Sequence, residues 1–233
     1  MTARHYRMFR YREAVFRIGS DRFDAVTAAV VRERHVLEAY IDRHPGFREA
    51  LEPVGVAADA PLSVRRMARA AQRTGVGPMA AVAGTMAQLA AEAALRAGAE
   101  EAIVENGGDL FVHAATEVVV GLHAGDAALK SRLAFRVTAD RMPVAVCSSS
   151  GRMGHSMSMG RCDLATVVAR DAALADAAAT LTANLVRCAD DLDAALEQVG
   201  AIDGVDGVLI CQDDRVGMCG RLPELVSGKC LLT

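Results

Sequence analysis

Ala102-Ile103-Val104-Glu105-Asn106-Gly107-Gly108-Asp109-Leu110-Phe111-Val112 places two adjacent glycines and two short polar residues between two apolar runs. The runs 102–104 and 110–112 look like strands. Asn106-Gly107 is a strong hairpin dipeptide, because Asn and Gly tolerate the positive φ that such turns need. On that reading the motif is a simple β-turn. Gly-Gly has no Cβ atoms, so it would equally let a phosphate or nucleotide approach the backbone, with Asn106 and Asp109 aimed into the same space. The motif alone leaves both readings open.

The segment leading into it is a helix from Pro78 onward built almost entirely of small residues: Ala80, Ala81, Ala83, Gly84, Ala87, Ala90, Ala91 and Ala94. Such a surface allows close approach to a sheet or another helix, so it reads as a buried central helix. Pro78 suits its first turn, where a missing N–H is no loss. Further upstream, Tyr6 to Tyr11 and Ala14 to Ile18 alternate apolar and basic residues, as two paired strands with one wet face do. Ser20 or Asp21 is expected to cap a first helix, with Phe23, Val26, Val30, Leu37 and Tyr40-Ile41 on its apolar side, ending at His44-Pro45-Gly46. A second helix is expected from about Ser63 to Gln72.

Downstream, strands at Val118–Leu122, Leu133–Val137 and Val144–Cys147 follow one another without helices between them. That order predicts an α+β fold built on largely antiparallel sheet packed with helices. The polar loop Ser148-Ser149-Ser150-Gly151-Arg152-Met153-Gly154-His155-Ser156 comes next, with hydroxyls and backbone N–H groups suited to phosphate. It is equally readable as a solvated loop, and Gly154-His155-Ser156-Met157-Ser158 lacks the closing glycine of a nucleophile elbow. After a strand at Leu164–Ala169, Asp171 caps a helix predicted to run through Cys188. Leu174, Ala178, Leu181 and Leu185 share one side of it, and Asp176, Thr180, Asn184 and Arg187 the other. Alanines, in place of Lys and Glu, line that polar side. A carboxylate and a hydroxyl one turn apart there could hold a hard cation such as Mg²⁺, which takes few protein oxygens.

With 233 residues, 52% of them apolar, and a formal charge of −3, the chain has no basic excess for a phosphate backbone, so no nucleic-acid partner is expected. Met1 to Arg22 scatters arginines through its apolar residues and carries no leader-like run. Pro78 to Leu95 is broken by Thr85, Gln88 and Glu92, too polar to span a bilayer. A soluble, cytoplasmic protein without membrane contact is the expectation. The six cysteines form no C-x-x-C pair and are expected to be mostly reduced core thiols; nothing requires Cys219 and Cys230 to pair.

In order and at comparable separations, Asn106-Gly107-Gly108-Asp109, Ser149-Ser150-Gly151, His155 and Ala175-Asp176-Ala177-Ala178-Ala179-Thr180 resemble the ApbE superfamily, the FAD:protein FMN transferases. The resemblance covers roughly Gly77 to Leu185. It implies a single ApbE-like α+β domain over residues 1–233. In that family the Asp and Thr of the last motif ligate Mg²⁺, which makes Asp176 and Thr180 the metal-ligand candidates. It further implies an FAD or related nucleotide site lined by Asn106, Gly107, Gly108, Asp109, Ser149, Ser150 and Gly151, with His155 as the candidate catalytic residue.

The chain also departs from the family. After the Ser-Gly segment the family has His-x-x-Asp-Pro-x-Thr-Gly, whereas His155 is followed by Ser156-Met157-Ser158-Met159-Gly160. The lysine expected before the helix is replaced by Val76-Gly77-Pro78. The chain is most similar to a small cytoplasmic branch, some members of which are linked to reductive sulfur incorporation. Two functions follow: a Mg²⁺-assisted flavin- or nucleotide-binding enzyme related to FMN transfer, or a non-catalytic accessory protein serving a sulfur-metabolism partner. A small anion unrelated to flavin is the third. A homodimer is expected, because the alanine-rich helix and the N-terminal strands offer more apolar surface than one chain covers; light scattering measures it.

Overall fold

The computed structural model describes residues 4–122, 133–151 and 161–227. Two strands open the chain, β1 (Arg7–Tyr11) and β2 (Ala14–Gly19), and their alternation is as the sequence predicts. Phe9 and Phe16 lie opposite each other in register and face inward, whereas the paired Met8 and Arg17 face outward. The first helix, α1 (Phe23–Arg43), lies over them: the Phe23 ring meets Phe9 edge-on at 6.5 Å and carries the Arg7 guanidinium 3.5 Å above it. Neither Ser20 nor Asp21 caps this helix. Arg22 is the N-cap, without a side-chain cap bond, and Ser20 Oγ instead accepts from the Arg22 N–H at 3.2 Å, closing a turn ahead of the helix. The C-terminal stop at His44 is as expected.

A short α2 (Gly46–Glu49) buries Phe47 against Tyr40. Then come α3 (Leu62–Thr74), a 3-10 turn at Pro78–Ala81, and α4 (Val82–Arg96). Pro78 opens the 3-10 turn, so α4 itself starts one turn later than the sequence suggested. Strands β3 (Ala102–Asn106), β4 (Asp109–His113), β5 (Val118–Leu122), β6 (Leu133–Val137), β7 (Val144–Ser149) and β8 (Leu164–Ala169) follow. Ser148 and Ser149, assigned to a loop from sequence, are the last residues of β7. The chain continues through α5 (Ala172–Leu185), α6 (Leu192–Gly200), β9 (Val205–Gln212), β10 (Arg215–Gly220) and β11 (Glu224–Ser227).

Among the described residues the strands form an eight-stranded sheet in the order β1-β2-β3-β4-β7-β8-β9-β10 and a three-stranded sheet in the order β11-β6-β5. All neighbours are antiparallel. Side chains alternate across the long sheet, so each strand feeds two cores. Val104, Phe111, Ala145, Val167 and Ile210 pack under the helices. Ile103, Leu110, Val112, Val146 and Leu209 meet Phe135 and Val137 of the small sheet.

Helix α5 packs against β7, β8, α3 and α4, and α4 against β3, β4 and α1. This burial corrects the two-faced helix expected from sequence. Nearly all of α5 is buried, including Asp176 and Thr180; it ends at Leu185, and Arg187 lies beyond it and exposed. The alanine-rich α4 is central, as predicted. It is covered within the chain, which removes one of the two reasons for expecting a dimer. No helix among the described residues is long and apolar enough to cross a membrane. Cys147, Cys162 and Cys211 are buried, Cys219 is half-buried and Cys188 exposed; Cys230 lies outside the described residues.

Candidate functional site

The Asn106-Gly107-Gly108-Asp109 motif is a two-residue hairpin. Gly107 and Gly108 both have positive φ, 66° and 106°, which accounts for the glycine pair. The turn does not compete with a site, because register carries the flanking side chains inward. Phe16, Asn106, Asp109, Cys147, Val167 and Val208 form one row across β2, β3, β4, β7, β8 and β9. Phe16, Val167 and Val208 belong to the core under the helices, so the polar trio between them faces α4 and α5.

Close helix packing completes the site from above. Asn106 Nδ2 donates to Ala83 O at 3.3 Å, and the Gly84 N–H donates to Asp176 Oδ2 at 2.8 Å. Asp176 is thereby held by the first turn of α4 over the carboxylate of Asp109. Asp171 starts α5 as its N-cap, accepting from Ala173 N at 3.0 Å, and Arg69 clamps it from α3 at 2.8 Å. Thr180 is buried one turn beyond Asp176. Thr182 faces elsewhere and donates back to Ala178 O at 2.7 Å.

Two buried polar atoms here have no hydrogen-bond partner, Asp109 Oδ1 and Ser149 Oγ. Ser149 lies two residues beyond Cys147 on β7 and so shares its face, whereas Ser148 turns to the other side and bonds Thr166 Oγ1 at 2.9 Å. Ser150 Oγ and the Gly151 N–H both donate to Cys162 O, at 3.2 and 2.9 Å, which ties the base of the loop shut. Of the residues proposed from sequence, Asn106, Asp109 and Asp176 come together, Ser149 lies on the same sheet face and Thr180 one turn further along α5, while Ser150 and Gly151 serve the loop base. His155 lies outside the described residues. Sequence reading left Cys147 among the core thiols. Only its pairing with Asp109 in the ladder marks it as part of the site.

Burial sets the electrostatics. Asp109's carboxyl is held well above the usual carboxylate range, first by burial and then by the adjacent Asp176, against the opposing hydrogen bonds from the Cys147 thiol and the Ser148 backbone. Burial likewise pushes Asp176 up to about 7, despite the Gly84 and Ala83 N–H groups that favour its charged form. Cys147 is pushed well above the ordinary thiol range by burial and then by both carboxylates, so it stays protonated. Two facing carboxylates in a dry site retain a proton at neutral pH unless a cation compensates them.

The oxygen donors fit a hard divalent cation: two carboxylates and a hydroxyl, with one carboxylate oxygen unpartnered. Among the described residues no group of three or more His, Cys, Asp or Glu side chains makes a closed metal cluster. Mg²⁺ needs none, since it keeps several waters and takes few protein ligands. A surface groove of about 630 Å³ lined by Phe9, Val31 and His35, and one of about 240 Å³ at Leu196, Gly200 and Cys219, both lie away from the carboxylates.

This arrangement of antiparallel sheets and helices is the fold of solved ApbE flavin transferases. The ApbE flavin transferase of Vibrio cholerae superposes with a TM-score of 0.56 over 93% of this chain and 96% of that one, at 12% identity. The apo flavinyl transferase ApbE of Pseudomonas stutzeri gives 0.58 over 98% and 95%, also at 12% identity. At that identity the likeness is one of fold. The family model described as AbpE bacteria matches residues 13–203, and the chain belongs to this family. A UPF0280 protein of Methanococcus maripaludis is 39% identical over 208 residues, 88% of this chain and 84% of its own. Another, from Archaeoglobus fulgidus, is 39% identical over 229 residues, 93% of this chain and 92% of its own.

Proposed function

We propose that this protein binds a flavin nucleotide such as FAD through a divalent cation held between β4 and α5, in an activity related to FMN transfer. The observation that carries the reading is the meeting of Asp109 and Asp176 in a buried site where Asp109 Oδ1 and Ser149 Oγ have no protein partner. Buried polar atoms without partners are uncommon in folded proteins, and a polar ligand supplies what they lack. The solved structures of the same fold are named as flavin transferases, and that likeness supports a flavin as the ligand.

Asp176 and Thr180, one turn apart on α5, hold the cation from one side, and Asp109 from the other. Ser149 Oγ donates a hydrogen bond to a phosphate oxygen. The Ala83 and Gly84 backbone keeps Asn106 and Asp176 in place, so neither has to reorganise on binding. When bound, the cation supplies positive charge against the pyrophosphate.

Calorimetric titration with FAD and Mg²⁺ tests the reading. Asp176→Ala should reduce binding below detection without unfolding the chain. Thr180→Val keeps the shape and deletes the hydroxyl, so it should weaken binding about tenfold, the equivalent of about 1.4 kcal/mol. Isotherms of both variants indistinguishable from wild type would refute the cation site. A wild type that binds Mg²⁺ but not FAD would remove the flavin and keep the cation.

A further inference from the structure

We infer that Cys147 is a positioning residue for the cation site, its thiol holding Asp109 so that the other carboxylate oxygen faces Asp176. The inference rests on the cation reading of this site and adds a residue to it. Cys147 stands directly opposite Asp109 in the β4–β7 ladder, and both side chains point to the face covered by α4 and α5. Such pairs bring Cβ atoms within about 5.5 Å, close enough for a thiol to reach a neighbouring carboxylate.

The thiol is fully buried and has one proton to give. It donates to Ala172 O in a long contact of 3.7 Å and also lies within hydrogen-bonding reach of the Asp109 carboxylate, the stronger acceptor. Ala172 is the first residue of α5, so Cys147 links the carboxylate on the sheet to the helix that carries Asp176 and Thr180. Asp109 has few other tethers: its Oδ1 has no partner, and the Ser148 backbone supplies its remaining bond. Groups that hold a ligating carboxylate commonly change metal affinity by 10–100-fold when removed.

Two substitutions separate donation from packing. Cys147→Ser keeps an O–H donor at the cost of a slightly smaller side chain. Cys147→Val nearly keeps the volume and deletes the donor. The probe is Mn²⁺, with affinity read from the loss of its free-ion electron paramagnetic resonance signal, and folding read from the melting temperature of the same samples. The expected result is a Kd about tenfold or more higher in Cys147→Val and within about threefold of wild type in Cys147→Ser.

Wild-type affinity in both variants overturns the inference and leaves the cation site standing. Equal weakening in both also overturns it, because packing rather than the hydrogen bond would then control the site. A wild type that binds no Mn²⁺ overturns the cation reading and this inference together.

Discussion

Asp176→Asn is expected to melt above the wild type at pH 8 in the presence of a chelator, by roughly 4–8 °C, while losing the cation. The carboxyl titrates at about 7 in the folded chain against an ordinary value of 3.8, so between those values the folded state binds more protons than the unfolded state. Stability therefore falls as pH rises through that window, and the penalty is fully present above it. A shift of this size corresponds to ~4 kcal/mol at 1.36 kcal/mol per pKa unit. About half of it is recovered in the variant, since a buried amide also loses hydration.

The amide suits the site. Its amide oxygen replaces the acceptor for the Gly84 N–H, and its NH₂ adds a donor next to the Asp109 carboxyl in place of a second charge. A gain of about 2 kcal/mol in a chain of this length gives the temperature shift above. At pH 4 the difference should largely close, because Asp176 is then protonated in the folded state and close to its midpoint in the unfolded one. Added Mg²⁺ should raise the melting temperature of the wild type and leave the variant unmoved. A variant less stable than wild type at every pH would refute this account of the carboxylate pair. A residue that lowers stability until its ligand arrives belongs to a functional site, where activity and stability commonly conflict.

Gly84→Ala should destabilise the protein by about 2–3 kcal/mol, a melting-temperature loss of roughly 5–10 °C, although Ala is the better helix former by about 1 kcal/mol. A Cβ on Gly84 would lie 2.3 Å from Ala172 O and 2.9 Å from the Asp176 Cβ. Both obstacles are fixed to the start of α5 and cannot rotate away, so α4 and α5 must separate. Separation also lengthens the Gly84 N–H bond to Asp176, so cation affinity should fall along with stability. Gly46→Ala is the control: its added Cβ meets nothing within 4 Å, and a change within about 0.5 kcal/mol is expected. Equal effects at the two positions would show that the α4–α5 contact does not limit stability.

Part of the site was readable because its signals are local. Asn106-Gly107 announces a turn through backbone conformation alone, Asp171 announces a helix start through the N–H groups it caps, and an alanine run announces close packing. The spacing of Asp176 and Thr180 puts them on adjacent turns in any helix. Cys147 gave no such signal, since nothing about a lone cysteine in an apolar run distinguishes a core thiol from a hydrogen-bond donor. Ser149 was assigned to a loop because hydroxyl-rich stretches favour turns, whereas its ladder bonds to Ala165 keep it in β7. The polar side predicted for α5 ran through Asp176, Thr180, Asn184 and Arg187, and the packing of α3, α4 and two strands around the helix buried only Asp176 and Thr180 of these.

The sequence by itself determined the strand and helix order from β1 through α5 apart from the short α2, the hairpin at Gly107-Gly108, the family resemblance and the residues that could meet a cation. These follow from periodicity, turn chemistry and capping, each acting over a few residues. Tertiary structure alone decided that β4 pairs with β7 and sets Cys147 beside Asp109, and that β9, β10 and β11 complete the two sheets. It alone placed Gly84 of α4 against α5 closely enough to hold Asp176 over Asp109. Such contacts depend on register between strands and on backbone approach between helices far apart in sequence, and the raised carboxyl pKa values exist only once that packing has excluded water.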